Sequence, residues 1–248
     1  MTENQLPELS RSLPPRRLAN ADTEFDWHIY ADATFAGLSV LLPIPFVDAI
    51  LEEIFRRRMP RNIARWRGRT LPQASYLEIN RTREGCWPGC LLWPVEALLF
   101  IIRTIYRNII FVLSVYDASV KLSYYWHRAF LLDYMIRRGD LDTPMKARLA
   151  GAAMQEAMGN MQLSPFINLA GQVIDQARQH IGALMKSVFR FIRRHEATKE
   201  TERTWLGIAE QWAGFKDYLL DLAGRYDTAY ETQAQAWLAG TDIKAGQP

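Results

Sequence analysis

The sequence predicts an all-α protein: a helical bundle with an N-terminal Pro-Ile-Pro hairpin and a long C-terminal antiparallel helical hairpin. Three observations carry that expectation. In the C-terminal third, two successive apolar series alternate by three and four, the period of one helix face. Elsewhere Pro, Gly and short capping residues punctuate the apolar stretches at helical lengths. Strand-like alternation is confined to a short piece around Tyr76, Leu77, Glu78 and Ile79.

Residues 1–21 are polar, with Pro7, Pro14 and Pro15 among Arg11, Arg16 and Arg17. They lack the apolar run of a signal peptide, so a flexible arm and a cytosol-facing protein are expected. A first helix opens at Asp22 or Thr23, either of which can cap it. Phe25, Ile29, Ala33, Ala36 and Val40 follow at helical spacing. It stops by Leu42, because Pro43 and Pro45 remove donors and disfavour the α region before them. A second helix restarts after Pro45 with Val47, Ile50, Leu51, Ile54, Phe55 and Met59 on one side. Residues 67–93 form a loop with a possible strand at 76–79.

Pro94 suits a first helical turn. The pattern from Val95 through Tyr116 continues past Trp126, Phe130 and Met135 to a stop at Gly139. Thr143 and Pro144 open a helix that ends near Gly159. Next, Ile167, Ala170, Ile174, Ala177, Ile181, Leu184, Val188 and Phe191 form the first C-terminal series. Trp205, Ile208, Trp212, Phe215, Leu219, Leu222, Tyr226 and Ala229 form the second, across a short polar break. Short connections make antiparallel neighbours, so 161–240 is expected to be the hairpin, 241–248 a tail, and 22–240 one structural unit.

The composition agrees. With 49% hydrophobic residues in 248 and two cysteines, the chain has material for a core and is neither disordered nor a disulfide-built module. A net charge of +3 matters less than where the charges lie.

Two stretches approach membrane grade. Residues 95–113 hold twelve Leu, Ile, Phe or Val, worth about −4 to −7 kcal/mol of insertion. Arg103 and Arg107 return about +5 to +7 kcal/mol, so a simple span is not supported. Residues 33–51 hold ten such residues but also Asp48 and two prolines. A hairpin dipping into one leaflet, through Phe35, Leu38, Leu41, Leu42, Ile44 and Phe46, and a buried core hairpin both fit.

The following segment favours the membrane. Arg56, Arg57, Arg58, Arg61, Arg65, Arg67 and Arg69 place seven arginines in fourteen residues. On a helix Arg57, Arg61 and Arg65 stack, with Ile54, Met59 and Ile63 near another face. Such a cluster attracts anionic lipid at about 1 kcal/mol per charge. Nucleic-acid phosphates suit arginine forks too, and a solvated face paired with Glu52 and Glu53 is the plain structural alternative.

Gly37, Pro43-Ile44-Pro45, Asp48, Met59 and Gly68 resemble the Pro-Ile-Pro helical hairpin domain of unknown function found beside bacterial small GTPases and in EcsC-like membrane proteins. The resemblance covers about a fifth of the chain, near 37–68, and implies a membrane-associated helical hairpin without established catalytic residues. The arginines at 56–58 depart from that pattern. So does Pro60, which is expected to interrupt the second helix. No G-x-x-x-x-G-K-[ST] phosphate loop is present.

Candidate chemistry is sparse. Cys86 and Cys90 form a lone pair without the further ligands that structural zinc needs; beside an apolar helix they are compatible with acylation. Tyr124, Phe130 and Leu131 stand three or four positions from His127 and offer it no activated nucleophile, and Asp133 lies on another face of the same helix. Met145, Met154, Met158 and Met161 sit among small residues, which suits an adaptable groove or close helix packing. No metal or cofactor is implied. The function expected is non-enzymatic: binding an anionic membrane surface and scaffolding a protein partner, or self-association through helices, with nucleic acid disfavoured. The alternatives are a soluble bundle holding a lipid or other hydrophobic ligand, and an enzyme using His127 and Asp133.

Overall fold

The computed structural model describes residues 21–41, 47–81, 107–159, 164–179 and 199–239. Among them every regular element is helical, and the helices pack as a bundle around one apolar core. Residues 42–46, with Leu42, Ile44 and Phe46, lie outside this description. So do Cys86, Cys90, most of the apolar stretch at 95–113, Met161, and Ile181, Leu184, Val188 and Phe191 of the first C-terminal series.

Helix α1 (Trp27–Leu38) starts later than the sequence suggests. Asp26, not Asp22 or Thr23, caps it by accepting from the His28 N–H. A 3-10 turn at Ser39–Leu41 extends it. Ten consecutive residues, Ile29 to Leu38, are buried, so α1 has no polar face. Phe35 and Leu38, expected to meet a bilayer, are instead in the protein core, and Leu41 packs partly buried against it. Phe35 stacks on Phe55 of the next helix, with ring centroids 5.6 Å apart.

Helix α2 (Val47–Trp66) runs through Pro60 without ending. An interior proline costs about 3 kcal/mol. Here Leu51, Phe55, Met59 and Ile63, spaced by four and all buried, offset that cost by docking the helix on both sides of it. Ile50 and Ile54 do not join this stripe; they are 52% and 41% exposed. The helix ends at Gly68, which takes φ +65°. The Arg69 N–H donates to Ala64 O and the Gly68 N–H to Arg65 O, the two bonds of a Schellman cap.

The piece read as a possible strand is helix α3 (Gln73–Ile79). Pro72 starts it, and Ser75 and Ile79, one turn apart, are its buried residues. Four alternating residues are too few to distinguish a strand from one helical turn.

Helix α4 (Arg107–Arg138) is the central helix, with α1, α2 and α6 against it. Gly139 stops it at φ +76°, with a second Schellman pair from Asp140 to Met135 and from Gly139 to Ile136. Helix α5 (Pro144–Ala157) opens on Thr143, whose side chain accepts from the Lys146 N–H. Its Ala147, Ala150, Ala153 and Met154 are buried, and it packs on α3 and on the last helix. Small residues there allow close helix packing.

Helix α6 (Phe166–Gln179) meets helix α7 (Lys199–Trp212) at the C-terminal end of α7. Gln211 donates to Gln172, and Phe166 packs on Trp212 at 4.7 Å and on Phe215 at 4.5 Å. The expected long seam does not continue past Trp212. A 3-10 turn at Ala213–Phe215 breaks the helix, and helix α8 (Lys216–Leu238) packs mainly on α5. The buried Leu219, Leu222, Tyr226 and Ala229 thus keep the predicted spacing but serve a different partner. Trp212 is the hub of the aromatic core, touching Phe25, Tyr30, Trp126 and Phe166.

Candidate functional site

The seven arginines of 56–69 divide by where their side chains go. Four are built into the fold. Arg56 forks onto Glu53 at 2.7 and 2.8 Å and donates to Asn80 O at 3.0 Å. Those hydrogen bonds hold the Glu53 carboxyl below its ordinary value. Arg58 pairs at 2.9 Å with Asp32, which is buried in α1 and also accepts from Asn62. Arg67 reaches Asp133 of α4 with a bidentate fork at 2.7 and 2.9 Å and Asp22 at 3.1 Å. The Asp133 hydrogen bond raises the Arg67 pKa; burial pushes the Asp133 carboxyl up while the guanidinium pulls it back. Arg69 donates to Ile136 O at 2.8 Å and to Asp142 at 2.6 Å, so the chain leaving α2 satisfies a carbonyl at the end of α4.

Arg57, Arg61 and Arg65 are exposed. Arg57 shares Glu53 and remains 70% exposed. Arg61 lies over the Tyr76 ring at 5.4 Å and donates to Gln73 at 3.3 Å. Among the described residues neither Arg61 nor Arg65 meets a carboxylate. At 3.6 residues per turn, Ile50, Ile54, Arg57, Arg61 and Arg65 fall within an arc of about 80° and span about 22 Å. Ile54 therefore shares the arginine face instead of lying with Met59 and Ile63. The outer face of α2 is apolar toward its N-terminus and basic toward its C-terminus.

The second constellation is internal. His127 is fully buried in α4. Its Nδ1 faces the Ser123 carbonyl and so carries the proton, while Nε2 accepts from Tyr218 OH at 2.7 Å. Ser164 Oγ lies 3.2 Å from Nε2. Sequence reasoning missed this neighbour, because Ser164 lies 37 residues away. The available signal was Ser164-Pro165 before an apolar run, a helix start; Ser164 Oγ indeed accepts from the Phe166 N–H. The hydroxyl–imidazole pair is sealed, its Nδ1 is bound by a backbone carbonyl, and Asp133 is engaged by Arg67. His127 and Asp133 are not brought together. The cluster joins α4, α6 and α8 and shows none of the access that nucleophilic catalysis requires.

Burial lowers the His127 pKa to about 4, from about 6.5 unfolded. The unfolded chain therefore binds the proton more readily in between. The contribution of His127 is present above pH 6.5 and is lost as pH falls toward 4. We expect about 2 kcal/mol less stability at about pH 5 than at about pH 7.5 from this group. Denaturant melts at both pH values check it: the His127→Gln variant should lose that part of the pH dependence, and an unchanged slope refutes the assignment.

A groove of about 670 Å³ lies between α5 and α8. Glu156, Asp221, Arg225 and Thr228 line it together with Ala157, Leu220 and Ala229. Among the described residues no cluster of three or more His, Cys, Asp or Glu is placed to hold a metal, and no helix is long and apolar enough to cross a membrane. The chain matches no protein-family model, no curated protein and no solved structure.

Proposed function

We propose that the protein is a non-enzymatic, peripheral membrane-surface protein that binds anionic lipid through the outer face of α2. The observation that supports this is the exposed run of Ile50 and Ile54 leading into Arg57, Arg61 and Arg65 on one face. Three basic residues near an anionic leaflet contribute about 1 kcal/mol each, and two half-exposed isoleucines add about 1 kcal/mol apiece on entering the acyl boundary. The sum describes reversible, salt-sensitive attachment, comparable in strength to a single weak anchor. The internally paired Arg56, Arg58, Arg67 and Arg69 belong to the fold and not to this face.

The test separates the two arginine sets. The protein should float with vesicles containing phosphatidylserine and not with phosphatidylcholine alone. Arg57→Gln, Arg61→Gln and Arg65→Gln together should abolish flotation while changing stability by no more than about 0.5 kcal/mol. Arg58→Gln should instead lower stability, because it strips a buried carboxylate of its partner. If the triple variant floats like the unaltered chain, or if the protein binds duplex oligonucleotide and no vesicle, the proposal fails.

A further inference from the structure

We infer that the lipid-facing surface is built from two helices, with Leu77 of α3 as its second apolar contact. This rests on the proposed function of α2 and extends the site to a residue outside the arginine segment. Leu77 is 65% exposed, while Ser75 and Ile79 of the same helix are buried. Its place is fixed by the contacts between α2 and α3. Arg61 donates to Gln73 and covers Tyr76, while Arg56 donates to Asn80 O. The later residue of α2 thus meets the earlier part of α3, so the two helices run antiparallel. Gln73 and Leu77 follow one another at one-turn spacing on α3, and Gln73 is the residue that meets the exposed Arg61. Leu77 therefore stands beside the Arg57–Arg61 turn of α2, and Arg81, itself 70% exposed, follows just past the end of α3.

The same order of chemistry, apolar contact then arginine, runs along α2, Ile50 and Ile54 before Arg57, Arg61 and Arg65, and along the chain through α3, Leu77 before Arg81 just past the end of the helix. Because the helices are antiparallel, apolar and basic groups alternate across the face. That mosaic suits the boundary between acyl chains and anionic headgroups, where both kinds of group are satisfied at one depth. Glu53 and Glu78 are the acids on these helices beside it, and each is already paired with arginine. The surface therefore commits to an anionic bilayer.

Vesicle co-sedimentation of the full chain tests this, with phosphatidylserine-containing vesicles at low and high salt. Leu77→Ser should weaken partitioning roughly tenfold at both salt concentrations, the loss expected for one buried leucine contact. Leu77→Trp should restore it. Leu206→Ser, at a 66% exposed leucine on α7, should leave partitioning unchanged, and thermal melts should show all three variants folded. If the unaltered protein binds and the arginine triple variant does not, yet Leu77→Ser partitions normally, α3 has no part in the surface. If the unaltered protein binds no vesicle, the parent proposal falls as well.

Discussion

Asp227→Ala is expected to remove about 3–5 kcal/mol of folding stability, the cost of stranding a buried cation. Arg138 is 11% exposed and has Asp227 as its close ion-pair partner, at 2.8 and 2.9 Å; Asp140 is 3.8 Å away. Asp227 also accepts from Tyr134 OH at 2.8 Å. Burial, with this bond, pushes the Tyr134 pKa up to about 12. The same end of the bundle holds Tyr226 OH against Asp140 at 2.9 Å. The alanine therefore undoes the joint between the C-terminal end of α4 and the middle of α8. A domain of this kind has about 5–15 kcal/mol in all, so the variant should unfold at much lower denaturant. Guanidinium melts measure it. Pairing Asp227→Ala with Arg138→Met should recover most of the loss, since the penalty lies in the uncompensated charge. A cost below about 1 kcal/mol for the single variant would show that the pair is solvated.

Gly37 should be the least tolerant position in α1. A Cβ placed there falls 2.5 Å from Leu122 Cα and 2.7 and 2.8 Å from its side-chain carbons. The nearest atom is backbone, so no rotamer change clears the clash and α1 must move away from α4. Overpacking of this kind costs about 1–3 kcal/mol and at times more, while alanine returns about 1 kcal/mol of helix propensity over glycine. Gly37→Ala should thus lose up to about 2 kcal/mol net, and Gly37→Val about 3 kcal/mol or more. Gly207 supplies the control: it is helical, a Cβ there would meet nothing within 4 Å, and Gly207→Ala should gain up to about 1 kcal/mol. Equal effects at the two glycines would overturn the close-approach argument.

What was legible in the sequence was local. The Thr143-Pro144 start and the Gly139 stop each depend on a few adjacent residues, and both stand where spacing puts them. The burial of Ile208, Trp212, Leu219, Leu222 and Tyr226 was legible too, because periodicity records which side of a helix is covered. It does not record what covers it, so the switch of α8 from α6 to α5 was invisible. Pro60 misled because propensity is a local cost that tertiary contact can exceed. The arginine segment misled for a related reason. Seven cations in fourteen residues look like a patch, but the partners that disperse them, such as Asp133 and Asp142, are 66 and 73 residues away. The i, i+4, i+8 stacking of Arg57, Arg61 and Arg65 was the part that local geometry could place, and it is the part that stays at the surface.

Helix α1 has a consequence for the birth of the chain. A segment buried on every side cannot be sheltered by water, and its main cover, α4, is translated much later: Thr34 and its bonding partner Trp126 are 92 residues apart. At about 5–20 residues per second, ribosomes need roughly 5–20 s to bridge that distance. Throughout that interval α1, the most apolar of the described helices, has only α2 to cover it and lacks its larger partner. The helix that holds the finished bundle together is thus also the stretch that chaperones or a nearby bilayer can capture first.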